Sequence, residues 1–473
     1  MLKKSSDCTE ILMGKAASMD GSTIVARNED GYGPVNPIKV VAHPATDHKN
    51  ATFTSGVTGV TVPLPDHAYR YTGTPQADQS DGLYEEAGIN ELNVGMSATE
   101  TTATNARVLG YDPLVDDGVN EEAMVTLVLP YIKTAKEGAQ RLGALLEKYG
   151  TGECNSIAFN DQDEIWYLET AGGHHWAAMR LPDNTYAVAP NQTVMEEVDV
   201  NDTDNFLVAT DLVDFVNQNH LNPKPGTFNF RDIFGTHDES DAYYNTPRTW
   251  YGQKMFNPSI TDQTPTDQDM PFARVPEKKI AIEDVEFFLS SHYNGTPYDP
   301  FGTFASGSAD DQKKYRSIAM DRNQCSSILQ IRNDVPADHA AIQWIAMGFF
   351  AYAPYVPFFT NINDTPEDYK NTTMTVSVDN VYWLSKTLSV MIEPHFHEFV
   401  ATINAYREGC QSYARQRVAA TDAGVTGDVT DYLTKSNAET AGEVSRRTHG
   451  LFDELVKQGL LLSATTWEKG QNL

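Results

Sequence analysis

In the first half of the chain, short β-prone apolar runs are separated by polar turns, which reads as strands and hairpins. Residues 22–26 (STIVA) form a β-prone run entered through a turn at Asp20-Gly21. Residues 155–159 and 165–169 flank the polar stretch 160–164, which predicts a hairpin. Residues 175–180 and 186–189 flank a second turn at Pro182-Asp183-Asn184. Between these groups, residues 120–149 carry helical spacing. Glu121 and Glu122 stand in the first turn, Lys148 in the last, and Pro130 is placed to kink or split the helix.

The second half reads differently. Helical spacing predicts helices over 281–291, 381–407 and 438–461, with long polar loops between 198 and 284. The stretch 341–359 (AIQWIAMGFFAYAPYVPFF) is nearly free of charge and long enough to suggest a membrane span. Gln343, Pro354 and Pro357 lie within it, and basic residues do not flank its C-terminal side. A buried strand followed by an aromatic loop is the better reading. No repeat or low-complexity linker divides the chain. The pattern therefore predicts one large α+β domain of antiparallel sheet and helical layers, helix-rich from about residue 380.

Composition narrows the partners. The 473 residues are 40% hydrophobic and 21% charged, an ordinary globular balance. Against 35 Lys+Arg stand 65 Asp+Glu, a net charge of −30 that repels phosphate backbones and anionic lipid. Nucleic acid and membrane surfaces are not expected partners. Cys8, Cys154, Cys325 and Cys410 are too few for a disulfide framework and lack zinc-ligand spacing. The N-terminus has no apolar run of signal-peptide length, so a reducing cytoplasm is expected and the sequons at Asn50 and Asn294 are expected to stay unmodified. His174 and His175 would point to opposite faces of a strand, and His395 and His397 diverge on a helix. No metal or other cofactor is expected.

The informative chemistry lies near the N-terminus. A strand that starts at Cys8 and returns through a hairpin would set Arg27 and Asp30 beside it. A guanidinium near a thiol lowers its pKa and raises the thiolate fraction. Asp30 would then hold Arg27 or the amine of Cys8. A buried structural cysteine is the plainer reading of the same thiol.

Cys8-Thr9, Gly14-Lys15, Asp20-Gly21-Ser22-Thr23 and Ala26-Arg27-Asn28-Glu29-Asp30 resemble the opening signature of a known family. It is that of the N-terminal-nucleophile cysteine dipeptidases, of the lactic-acid-bacterial dipeptidase A type. The resemblance continues in order through Gly88-Ile89-Asn90-Glu91, Ser97-Ala98-Thr99-Glu100, Trp166-Tyr167-Leu168-Glu169, Gly173-His174-His175-Trp176 and Pro190-Asn191-Gln192. It then reaches Pro247-Arg248, the run from His292 to Asp299, and Gln330-Ile331-Arg332, so that it spans roughly residues 8 to 360.

The resemblance implies an αββα sandwich, two antiparallel sheets between helical layers. It also implies that residues 1–7 are a pro-segment, that 8–473 form the mature domain, and that Cys8 is the nucleophile with its own α-amine as base. Such an amine titrates at about 7.7–8.0, near working pH. Related acylases acting on penicillin V or conjugated bile acids share the Cys/Arg/Asn/x/Asp signature. Their pattern implies supporting roles for Arg27 and Asp30, an oxyanion-hole amide at Asn191 and an active-site arginine at Arg248. Where those acylases carry an amide, this chain has Glu100, a carboxylate suited to a substrate's α-ammonium; Arg248 is then a candidate for the substrate's carboxylate. Dipeptides are the expected substrates and a homo-oligomer the expected assembly. An N-acyl amide hydrolase, and an unprocessed inactive paralogue with a binding role, are the alternatives.

Overall fold

Thr9–Met13 (β1) and Thr23–Asp30 (β2) pair antiparallel, with Glu10 opposite Arg27 and Leu12 opposite Val25. Both strands are buried along their whole length. Their alternate side chains serve two interfaces: Ile11, Met13, Ile24 and Ala26 face a helical layer, while Leu12 and Val25 face a second sheet. The computed structural model describes residues 8–31 and 33–462, so the expected pro-segment lies outside it.

β1 and β2 lie within a seven-stranded antiparallel sheet. Its order is Ala273–Arg274, Tyr186–Ala189, β1, β2, Asn323–Ile331, Ala341–Met347 and Val356–Phe359. The facing eight-stranded sheet runs Phe206–Val208, His175–Arg180, Ile165–Ala171, Ser156–Asn160, Gly95–Thr99, Glu85–Asn90, Tyr71–Pro75 and Val41–His43. β2 packs across the gap on Gly95–Thr99 and Ser156–Asn160. Glu121–Val128 and Ala135–Tyr149 cover the eight-stranded sheet, and Thr246–Phe256, Ile282–Leu289 and the C-terminal helices cover the other. The fold is the expected αββα sandwich. Among the described residues, no helix is long and apolar enough to cross a membrane.

Several elements differ from the sequence reading. The strands His175–Arg180 and Tyr186–Ala189 do not form a hairpin: the turn between them carries the chain from one sheet to the other, where Ala189 pairs with Glu10. The apolar stretch 341–359 is two paired strands, Ala341–Met347 and Val356–Phe359, around a turn in which Gly348 has a φ of 79°. The polar region after 198 contains helices Leu212–Gln218, Phe230–Phe234, Asp241–Tyr244 and Thr246–Phe256, too short to show a clear period. The helix expected over 381–407 is two, Val381–Ile392 and Phe396–Gly424, interrupted at Glu393–His395 where Pro394 sits; the latter and Val429–Leu462 extend beyond the apolar spacing that signalled them. The split helix is as expected, with a 3₁₀ turn at Leu129–Tyr131 around Pro130.

Candidate active site

Cys8 precedes β1 and shares the inter-sheet side with Glu10 and Leu12; it is fully buried. Arg27 Nη2 donates to Cys8 Sγ at 2.8 Å, and Nη1 donates to the Ala98 carbonyl of the facing sheet at 2.9 Å. The same guanidinium forms a buried ion pair with Glu86. The hairpin thus brings thiol and guanidinium together as expected. It does not join Arg27 to Asp30, because side chains three apart on a strand point to opposite faces. Asp30 faces the helical side, where it pairs with Arg316 and accepts from Asn323 Nδ2.

The thiol's electrostatics also depart from expectation. Burial pushes the Cys8 pKa well above its ordinary value; Arg27 opposes this, and Glu86, Glu121 and Asp30 reinforce it. The guanidinium at 2.8 Å thus acts against the loss of solvent and three carboxyls.

Arg248 lies on the helix Thr246–Phe256, not in a loop, with Pro247 in the first turn where no N–H is missed. Its Nη1 donates to the Cys8 carbonyl at 2.6 Å and to Thr9 Oγ1 at 2.8 Å. Nη2 donates at 2.6 Å to Asn191 Oδ1 and to Asn245 Oδ1, and Nε donates to the Tyr244 carbonyl at 3.0 Å. All five guanidinium N–H groups have protein partners, the Cys8 carbonyl and Asn191 among them. Arg248 thereby fixes β1 and Asn191. With Oδ1 of Asn191 held by Arg248, Nδ2 is the donor end and donates to the Glu100 carbonyl at 3.3 Å. Arg316 adds a second cation beside β1, donating to Thr9 Oγ1 at 3.3 Å.

Glu100 is half-buried at the end of Gly95–Thr99, and its N–H donates to Glu121 Oε1 at 3.1 Å. Cys8, Glu86 and Glu121 each offer one ligand atom within 4.8 Å of the others, as do Glu100, Glu121 and Glu153. These are the two groups of described residues whose spacing could hold a metal. The histidine pair behaves otherwise than expected. His174 precedes the strand, so alternation does not apply, and the Nδ1 atoms of His174 and His175 both contact the Asp112 carboxyl, at 2.9 and 2.7 Å.

Sequence reasoning missed Glu86, Glu121, Asn245 and Arg316. A signal existed for the first two: each belongs to an acidic pair, Glu85-Glu86 and Glu121-Glu122, at the head of an otherwise apolar element. Glu121 and Glu122 are buried rather than solvated helix-start acids.

Residues 7–409 match the model of Peptidase family C69. The chain belongs to that family. A probable dipeptidase of Latilactobacillus sakei is 44% identical over 99% of this chain and 98% of its own length. Dipeptidase A of Lactobacillus helveticus is 40% identical over 96% and 97%. A dipeptidase of Bifidobacterium longum is 43% identical over 88% and 82%. Among solved structures, penicillin V acylase from Agrobacterium tumefaciens aligns with 74% of this chain and 86% of its own, at 11% identity and a TM-score of 0.34. Within the C69 family, then, this chain places a buried cysteine at the head of its first strand.

Proposed function

We propose that this C69 peptidase hydrolyses dipeptides, with Cys8 as nucleophile after removal of residues 1–7. The carrying observation is the convergence on Cys8 of Arg27 at the thiol and Arg248 at the carbonyl, the latter also orienting Asn191. Removal of residues 1–7 frees an α-amine two bonds from the carbon that bears Sγ. A protonated thiol needs a base at the moment of attack, and that amine is the nearest by covalent geometry.

The steps balance as follows. The amine takes the thiol proton as sulfur bonds to the substrate carbonyl carbon. Asn191 Nδ2 donates to the oxyanion, an interaction typically worth about 3 kcal/mol. The C–N bond then breaks, and the α-ammonium returns its proton to the departing amine. Water, deprotonated by the same amine, cleaves the thioester and regenerates the thiol.

The test is a dipeptide-hydrolysis assay combined with intact-mass measurement. Active protein should begin at Cys8, and Cys8→Ala should abolish turnover. Full activity in a preparation whose every chain begins at Met1 would sink the mechanism, since a peptide nitrogen is not basic.

A further inference from the structure

Of the motif Trp166-Tyr167-Leu168-Glu169, the last residue is a fully buried carboxyl that takes no part in the thioester chemistry. Glu169 lies on the strand Ile165–Ala171, directly across from Ser156, whose Oγ donates to Glu10 of β1 at 3.3 Å. Glu169 therefore points into the gap between the two sheets. Oε1 accepts from the Val194 N–H at 2.8 Å and from the Tyr167 hydroxyl at 3.2 Å, and Oε2 accepts from the Met195 N–H at 3.1 Å.

Those two N–H groups belong to the segment that carries Asn191. After Tyr186–Ala189 the chain leaves its sheet, and no strand ladder holds residues 190–195. Individual hydrogen bonds hold them. Asn245 Oδ1 accepts from the Asn191 N–H at 3.2 Å, Thr193 Oγ1 donates to the Ala103 carbonyl at 3.1 Å, and the Met195 carbonyl accepts from the Arg231 N–H at 2.8 Å. Arg248 fixes the Asn191 amide, whereas Glu169 and Asn245 fix the backbone from which that amide projects. A carboxylate suits the task, since its two acceptor oxygens meet two donors. A side-chain amide would set an NH2 group against one of them.

We propose that Glu169 is a positioning residue for the oxyanion donor, its carboxylate holding the Asn191 segment in register with Cys8. This rests on the dipeptidase reading, with Asn191 as the donor. A shift of about 1 Å in a catalytic group costs on the order of a hundredfold in rate. Burial raises the Glu169 pKa to about 7, opposed by the Val194 and Met195 N–H groups, the Tyr167 hydroxyl and Arg231 on Phe230–Phe234. Glu10 acts on Tyr167, and burial raises its own pKa to about 7, with Ser97 and Arg27 opposing. Ionised, Glu169 accepts both N–H groups; protonated, it carries a hydrogen on one oxygen and the acceptor pair is broken. Glu169→Gln copies the protonated form at every pH.

The experiment measures kcat and KM on one dipeptide from pH 5 to 9 for mature wild type, Glu169→Gln, Asn191→Ala and the double variant, with urea denaturation of each. At pH 8 and above, Glu169→Gln should lose about tenfold to a hundredfold in kcat and change KM by less than about threefold. The kcat ratio of wild type to Glu169→Gln should shrink toward one as pH falls to 5. The α-amine of Cys8 and Glu10 titrate in both proteins and cancel from that ratio. Added to Asn191→Ala, Glu169→Gln should cost little further. Tyr167→Phe removes one donor to the carboxylate, so the acid limb of kcat should move to higher pH while the plateau is kept. A ratio constant with pH, or additive losses with Asn191→Ala, would overturn the positioning role and leave the dipeptidase reading intact. If Glu169→Gln does not fold, an unmoved acid limb in Tyr167→Phe would overturn it alone. Mature wild type that cleaves no dipeptide would remove the dipeptidase reading and the positioning role together.

Discussion

Arg27 and Arg248 both reach Cys8, yet they touch different parts of it. Arg27 meets the sulfur, whereas Arg248 meets the carbonyl and spends its remaining donors on Thr9, Asn191, Asn245 and Tyr244. A lysine at 248 keeps the charge but offers three donors from one point rather than five from a planar fork. Arg248→Lys should therefore lower kcat by about a hundredfold or more, on the scale of losing an oxyanion donor. Because the loss acts through Asn191, adding Asn191→Ala should cost little further. Steady-state kinetics on the two single variants and the double variant test this; additive losses would mean that Arg248 does not work by orienting Asn191.

At the scale of elements, the helix Ala135–Tyr149 lies against its sheet through glycines. A Cβ at Gly143 would fall 2.1 Å from Trp176 Cζ2, and one at Gly138 would fall 2.4 Å from Phe159 Cδ1. Intrinsic propensity favours alanine in a helix by about 1 kcal/mol. Gly143→Ala should nonetheless destabilise, by about 1–3 kcal/mol, because a buried indole must move. Urea denaturation gives the sign, and a stabilised variant would show that the helix shifts freely. The element scale also shows what the sequence could reveal. A β-prone run identified β2, the polar turn at 160–164 the 155–169 hairpin, and Pro130 the helix break. The Tyr186–Ala189 strand stands where expected but in the other sheet, because turn chemistry at Pro182-Asp183-Asn184 marks a reversal without saying which sheet receives the chain. Cys8, Arg27, Asn191 and Arg248 were legible through motifs. Glu86 and Glu121 were not, because a buried carboxyl and a solvated one look alike until the facing sheet is known.

For the whole molecule, charge is distributed unevenly between surface and core. Glu286, on Ile282–Leu289, is buried and accepts from Gln411 Nε2 at 2.7 Å on the helix Phe396–Gly424. Burial raises its pKa to about 8, Glu283 adding to this and the Gln411 hydrogen bond, Arg407 and Arg415 opposing. A carboxyl protonated in the folded state and ionised in the unfolded one contributes stability that is fully present below about pH 4.5 and lost as pH rises to about 8. Glu286→Gln should escape that loss. Its stability relative to wild type should improve by about 1.4 kcal/mol per pH unit across this window, as urea titrations at pH 5, 6.5 and 8 would show; a constant difference would mean that Glu286 is ionised in the fold. The arrangement of strands bears on synthesis as well. β1 is laid between β2 and Tyr186–Ala189, and its cysteine is tied to Arg248, more than two hundred residues further along the chain. During translation the cysteine emerges early and waits for Tyr186–Ala189 and for its clamp until about half of the polypeptide has been made. Chains terminated before residue 248 carry the thiol without the arginine that holds its carbonyl.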